Sequence, residues 1–213
     1  MSSIAIKICG LSTRDTLDVA LEAGADFVGF VHFPRSPRHV DLETGRVLSA
    51  RAKGRTERVV LLVNPDDALV AAAVEALDPE WIQLHGRETP ERVAALRAAT
   101  GRRVMKAIGV ATAGDLDAVP AFAGRADRIL LDAKAPPGAA LPGGNGHAFD
   151  WDLLGGAVLP ADYMLSGGLT PDTVALALAR TGARAVDVSS GVETRPGEKS
   201  PERIAAFIAA ARA

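Results

Sequence analysis

Short apolar runs rich in β-branched residues alternate along the chain with longer stretches whose apolar positions recur every three or four residues. The runs predict buried parallel strands at residues 4–9, 27–32, 58–63, 81–84, 104–108, 128–132, 163–166 and 185–189. The Ala- and Leu-rich stretches between them carry helix start and stop signals. Ser12 and Thr13 precede a helix over 14–23 that Gly24 stops, Asp41 precedes 42–52, and Asp66 precedes 67–77. Thr89-Pro90 opens a helix running to 99, Thr170-Pro171 one running to 180, and Ser200-Pro201 the last. Eight strands, each followed by a helix or loop, predict a (β/α)8 TIM barrel spanning residues 1–213 as a single domain. An open doubly wound sheet needs fewer strands and usually a glycine fingerprint after the first, where this chain has only Cys9-Gly10-Leu11.

Composition narrows the partners. The 213 residues are 48% hydrophobic with a net charge of -2, which suits one sizeable core and gives no field to recruit nucleic acid or an anionic membrane. No apolar run reaches spanning length and no signal peptide is evident. The single cysteine forbids an internal disulfide and a multi-cysteine metal site, and fits a reducing cytoplasmic setting. The four histidines, His32, His39, His85 and His147, show no metal-ligand spacing, and no cofactor motif occurs.

In a barrel the chemistry belongs at the C-terminal strand ends. There the chain has Cys9, His32, Asn64, His85, Asp132, Ser166 and Ser190. Strand alternation puts Lys7 and Cys9 on one face and Ile6 and Ile8 on the other, so that the isoleucines pack on helices and Lys7 and Cys9 point inward. Arg128, Leu130 and Asp132 share a face by the same rule. Two glycine turns, Ser166-Gly167-Gly168-Leu169 and Ser189-Ser190-Gly191-Val192, follow the seventh and eighth strands, where barrels commonly bind phosphate through backbone N–H groups. Arg38 lies in a loop stiffened by Pro34 and Pro37 and suits a carboxylate or a phosphate; Arg35 is the weaker candidate. His85 is read as shaping the pocket or hydrogen-bonded in place, not as a base. The Pro- and Gly-rich stretch 133–147 is a long loop of the kind that serves function.

These motifs together resemble the phosphoribosylanthranilate isomerase family over nearly the whole chain. The resemblance rests on Lys7-Ile8-Cys9-Gly10, Gly24-Ala25-Asp26-Phe27-Val28-Gly29-Phe30, Ser36-Pro37-Arg38, Gln83-Leu84-His85-Gly86 and Leu130-Leu131-Asp132. It continues through Gly143-Gly144-Asn145-Gly146 before Phe149-Asp150-Trp151, then Ser166-Gly167-Gly168-Leu169 and the stretch from Val186 to Glu193. It implies an Amadori rearrangement in tryptophan biosynthesis with no cofactor and a phosphosugar as the small-molecule partner, in a monomer or homodimer. It further implies Cys9 as general base, Asp132 as general acid, Arg38 on the anthranilate carboxylate, and Ser166, Gly167, Gly168, Ser190 and Gly191 on the phosphate. His32 stands where an aromatic is common, Ser200 where Asp often stands, and the loop 135–142 is slightly long. The rivals are another phosphosugar isomerase or transferase and a phosphometabolite-binding barrel without catalysis. The chain has no internal doubling of the histidine-pathway kind, and a non-catalytic barrel need not keep both Cys9 and Asp132.

Overall fold

The computed structural model describes residues 4–135, 138, 143 and 148–213. Eight parallel strands close into a ring: β1 (Ala5–Cys9), β2 (Phe27–Val31), β3 (Glu57–Leu62), β4 (Trp81–Leu84), β5 (Arg103–Val110), β6 (Arg128–Ala133), β7 (Met164–Leu165) and β8 (Ala185–Val188). The first and last strands seal it, with Lys7 registered against Asp187. Outside lie α1 (Arg14–Glu22), α2 (Leu42–Ala52), α3 (Asp67–Leu77), α4 (Pro90–Thr100), α5 (Val174–Thr181) and α6 (Pro201–Arg212).

The expected caps act as read. The side chains of Asp41, Asp66 and Thr89 accept from the backbone N–H three residues on, at 2.7, 2.8 and 3.2 Å. Ser200 caps α6, its Oγ accepting from Arg203 N at 3.2 Å. Gly101 and Gly182 end α4 and α5 in the left-handed region at φ 64°.

Three features depart from expectation. The helix opened at Thr170-Pro171 begins only at Val174, because Thr170 and Thr173 first close a turn on each other: Thr170 N donates to Thr173 Oγ1 at 3.0 Å. The β5–β6 and β6–β7 connections carry 3₁₀ helices, Ala113–Phe122 and Trp151–Gly156; Pro120, which lacks an N–H, sits inside the first. After β8 a short antiparallel hairpin, β9 (Glu193–Arg195) with β10 (Glu198–Lys199), stands where no strand was expected.

Ile6, Ile8, Val28, Phe30, Val60 and Leu62 point outward into one apolar layer against the helices. The lower barrel is filled by Phe27, Val59, Trp81, Met105, Leu130, Met164 and Ala185. Below them Arg128 lays its guanidinium 5.3 Å from the Phe27 ring centre and 5.4 Å from that of Trp81, a cationic plug on aromatic faces. This apolar floor confines polar chemistry to the other end.

Candidate active site

The C-terminal mouth is a cleft of about 780 Å³ including its open entrance. Val31, Phe33, Leu61 and Val63 make one apolar wall, and the glycine turns after β7 and β8 make the opposite one. Cys9 and Asp132 both line it, as do Arg38, Ser166, Gly167, Gly168 and Ser190. Asp132 thus reaches the same cleft as Cys9 from a strand three places around the ring.

Cys9 ends β1 with its side chain inward, as alternation requires. Gly29 on β2 makes room: a Cβ there would stand 3.0 Å from Cys9 Sγ and 3.3 Å from Lys7 Cε. Lys7, fully buried one layer down, donates to Asp187 Oδ1 at 2.8 Å and acts on the thiol by its charge. Burial pushes the Lys7 ammonium down, but Asp187 and Cys9 outweigh it and hold it above its ordinary value. Cys9 departs from the lowered pKa its expected role calls for. Burial pushes the thiol up, and the pull of Lys7 and Lys199, opposed by Asp187, does not cancel that, so the resting sulfur keeps its proton.

Asp132 is 6% exposed, with Oδ1 accepting from Ala133 N at 2.9 Å and Oδ2 lying 3.2 Å from His85 Nε2. Gln83 Nε2 in turn lies 2.9 Å from His85 Nδ1. With the amide donating, His85 carries its proton on Nε2 and aims it at an ionised Asp132. Turning the amide over puts the proton on Nδ1 and lets His85 Nε2 accept from a protonated Asp132. The pair can therefore serve either protonation state of the carboxyl. His85 is hydrogen-bonded in place, as expected; that its partner is Asp132 was not legible.

Arg38 is only 5% exposed, despite its place in a surface loop. Its Nε and Nη2 donate to Glu193 Oε1 and Oε2 at 2.7 and 2.9 Å, a bidentate fork across 155 residues. Lys199 Nζ donates to the same Glu193 Oε1 at 2.8 Å. Arg35 is exposed and outside the cleft, and His32, bonded through Nδ1 to Val40 O at 2.8 Å, does not line it either.

In the glycine turns, Gly167 and Gly168 adopt φ 87° and 64°, a backbone that side chains rarely accept. A Cβ at Gly167 would meet Ala133 N at 2.6 Å, and one at Gly191 would meet Leu169 O at 1.8 Å, so the turns after β7 and β8 pack backbone to backbone. The Ser166 hydroxyl donates to Asp187 Oδ2 at 3.0 Å, which commits that side chain to the Lys7–Asp187 pair. Of the long loop, residues 136–137, 139–142 and 144–147, with His147, lie outside the described residues. Gly143 packs against both His85 and Asp132. Among the described residues no group of three or more His, Cys, Asp or Glu could hold a metal, and no helix is long and apolar enough to cross a membrane.

The family model described as N-(5'phosphoribosyl)anthranilate (PRA) isomerase matches residues 6–210. An N-(5'-phosphoribosyl)anthranilate isomerase of Azorhizobium caulinodans is 59% identical over 211 residues, covering 99% of this chain and 92% of that one. Among solved structures, the monomeric form of the dimeric Thermotoga maritima phosphoribosylanthranilate isomerase matches at 33% identity and a TM-score of 0.84, over 98% of both chains. Another, a phosphoribosylanthranilate isomerase in complex with reduced 1-(o-carboxyphenylamino)-1-deoxyribulose 5-phosphate, matches at 32% identity and a TM-score of 0.82, again over 98% of both chains. The chain belongs to the N-(5'-phosphoribosyl)anthranilate isomerase family.

Proposed function

We propose that this barrel converts N-(5'-phosphoribosyl)anthranilate into 1-(o-carboxyphenylamino)-1-deoxyribulose 5-phosphate, with Cys9 as general base and Asp132 as general acid. The observation that carries the reading is that a thiol and a carboxyl, from β1 and β6, line one cleft between an apolar wall and two glycine turns. The apolar wall suits the aryl ring, the turns suit the phosphate through their backbone N–H groups, and the Arg38 guanidinium suits the anthranilate carboxylate. Asp132, protonated, gives its proton to the ribose ring oxygen; the C1′–O bond breaks and the nitrogen lone pair forms the Schiff base. Cys9, as thiolate, then takes the C2′ proton, and the C–H electron pair flows into an enolamine that tautomerises to the ketone. The step needs the thiolate, so the resting thiol first gives up its proton to solvent at the cleft mouth, against the pull of burial. Lys7 stays cationic beside the sulfur and stabilises the thiolate once it forms.

The test is direct. Purified protein should consume phosphoribosylanthranilate in an assay that follows loss of its fluorescence, and its gene should restore growth to a tryptophan-requiring isomerase mutant. Absence of both would overturn the reading and leave a binding barrel.

A further inference from the structure

Arg38 reaches the cleft by a route that the hairpin β9–β10 controls. Its side chain runs across Gly10, where a Cβ would meet Arg38 Cδ at 2.8 Å and Ser189 Oγ at 3.2 Å. Glu193 grips it from the far side with both carboxylate oxygens. Lys199, buried on the other strand of the hairpin, donates to Glu193 Oε1 at 2.8 Å, to Ser189 O at 2.8 Å and to Ser189 Oγ at 3.1 Å. Ser189 Oγ in turn donates to Cys9 O at 3.1 Å. Gly197, at the hairpin's tip with φ 87°, packs so closely on the Arg38 loop that a Cβ would stand 2.4 Å from Pro37 O. Arg38, Glu193 and Lys199 form a buried cluster of two cations and one anion.

We propose that Glu193 is a positioning residue for substrate binding. It fixes the Arg38 guanidinium across Gly10, in the orientation that meets the anthranilate carboxylate. This rests on the reading of the cleft as an aryl-carboxylate and phosphate site. The carboxylate of Glu193 touches no reacting atom; it acts through Arg38. Lys199 ties the same grip, through Ser189, to the strand end that carries the base.

A double-mutant cycle tests it. Glu193→Gln should raise KM about tenfold, the worth of one charged hydrogen bond, with kcat within about threefold of wild type. In an Arg38→Ala background the same change should leave KM unmoved, because its only route to the substrate is gone. Circular dichroism and thermal midpoints identify which variants fold. Should Glu193→Gln fail to fold, Glu193→Asp keeps the charge but withdraws it by one methylene, and an intermediate KM is expected. An unchanged KM in the folded single variant, or an equal penalty with and without Arg38, would overturn the proposal. Calorimetric titration with reduced 1-(o-carboxyphenylamino)-1-deoxyribulose 5-phosphate reads the same grip without turnover. A wild-type protein that binds this analogue but turns nothing over would sink the isomerase reading while the Kd ratio of Glu193→Gln to wild type still judges Glu193; a ratio near one overturns its role.

Discussion

A sulfur that keeps its proton at rest is an economical base only if the protein can expose its charge at the right moment. Cys9 is walled in by β1, β2 and β8, and burial outweighs the two lysines near it. Cys9→Ser should therefore cost at least about 10²-fold in kcat, since a hydroxyl ionises far less readily than a thiol; Asp132→Asn, which removes the acid, should cost as much. Steady-state kinetics on the purified variants check both. The same raised thiol makes a second prediction. Alkylation of folded protein by iodoacetamide, followed by intact mass, should be slow near neutrality and accelerate as pH rises, while urea-unfolded protein reacts much faster at equal pH. Because the chain has one cysteine, the mass shift is unambiguous. Fast labelling of the native protein near pH 7 would contradict the raised value.

At the scale of elements, the site is built from strand ends and the turns that follow them. Gly10 forms the turn after β1: its φ is 78°, and its missing side chain is the gap through which Arg38 passes. Gly10→Ala should cost about 1–3 kcal/mol of stability from the left-handed backbone alone. It should also raise KM by displacing the guanidinium; urea midpoints and kinetics separate the two effects. Strand alternation made Lys7 and Cys9 legible as inward, and the glycine pairs after β7 and β8 made the phosphate turns legible. The hairpin β9–β10 was not legible: its strands are two and three residues long, too short for a period, and its anchor is a contact between residues 38 and 193. The 3₁₀ helices of the β5–β6 and β6–β7 connections were missed because both are rich in Gly, Asp or Pro, which read as loop. His85 announced itself as a pocket residue, but only the closed ring reveals that Asp132 is what it touches.

For the whole molecule, the titrating groups set a window of stability. Glu80 and Glu193 are pushed up by burial yet held below the ordinary carboxylate range by Arg58 in one case and by Arg38 and Lys199 in the other; Asp78 is lowered by Lys53 and Arg102. These lowered carboxyls bind protons more readily in the unfolded chain. Their stabilisation is present above about pH 4–4.5 and lost as pH falls through the folded values. Cys9 and Lys7 are raised, so the folded state holds those protons more tightly; that stabilisation is present below the unfolded values and lost as pH climbs through the folded ones. Thermal midpoints should form a plateau from about pH 5 to 8 with shoulders on both sides; a midpoint unchanged down to pH 3 would contradict the acid limb. The barrel itself was legible because its eight apolar runs are regularly spaced. The union of first strand with last was not, since no local pattern encodes it. That union has a consequence for a nascent chain. Lys7 meets Asp187, and Cys9 O meets Ser189, across 180 residues each. The thiol leaves the ribosome 180 residues ahead of the groups it meets on the eighth strand. No partial barrel lacking the eighth strand can hold the assembled centre, so competence waits for that strand.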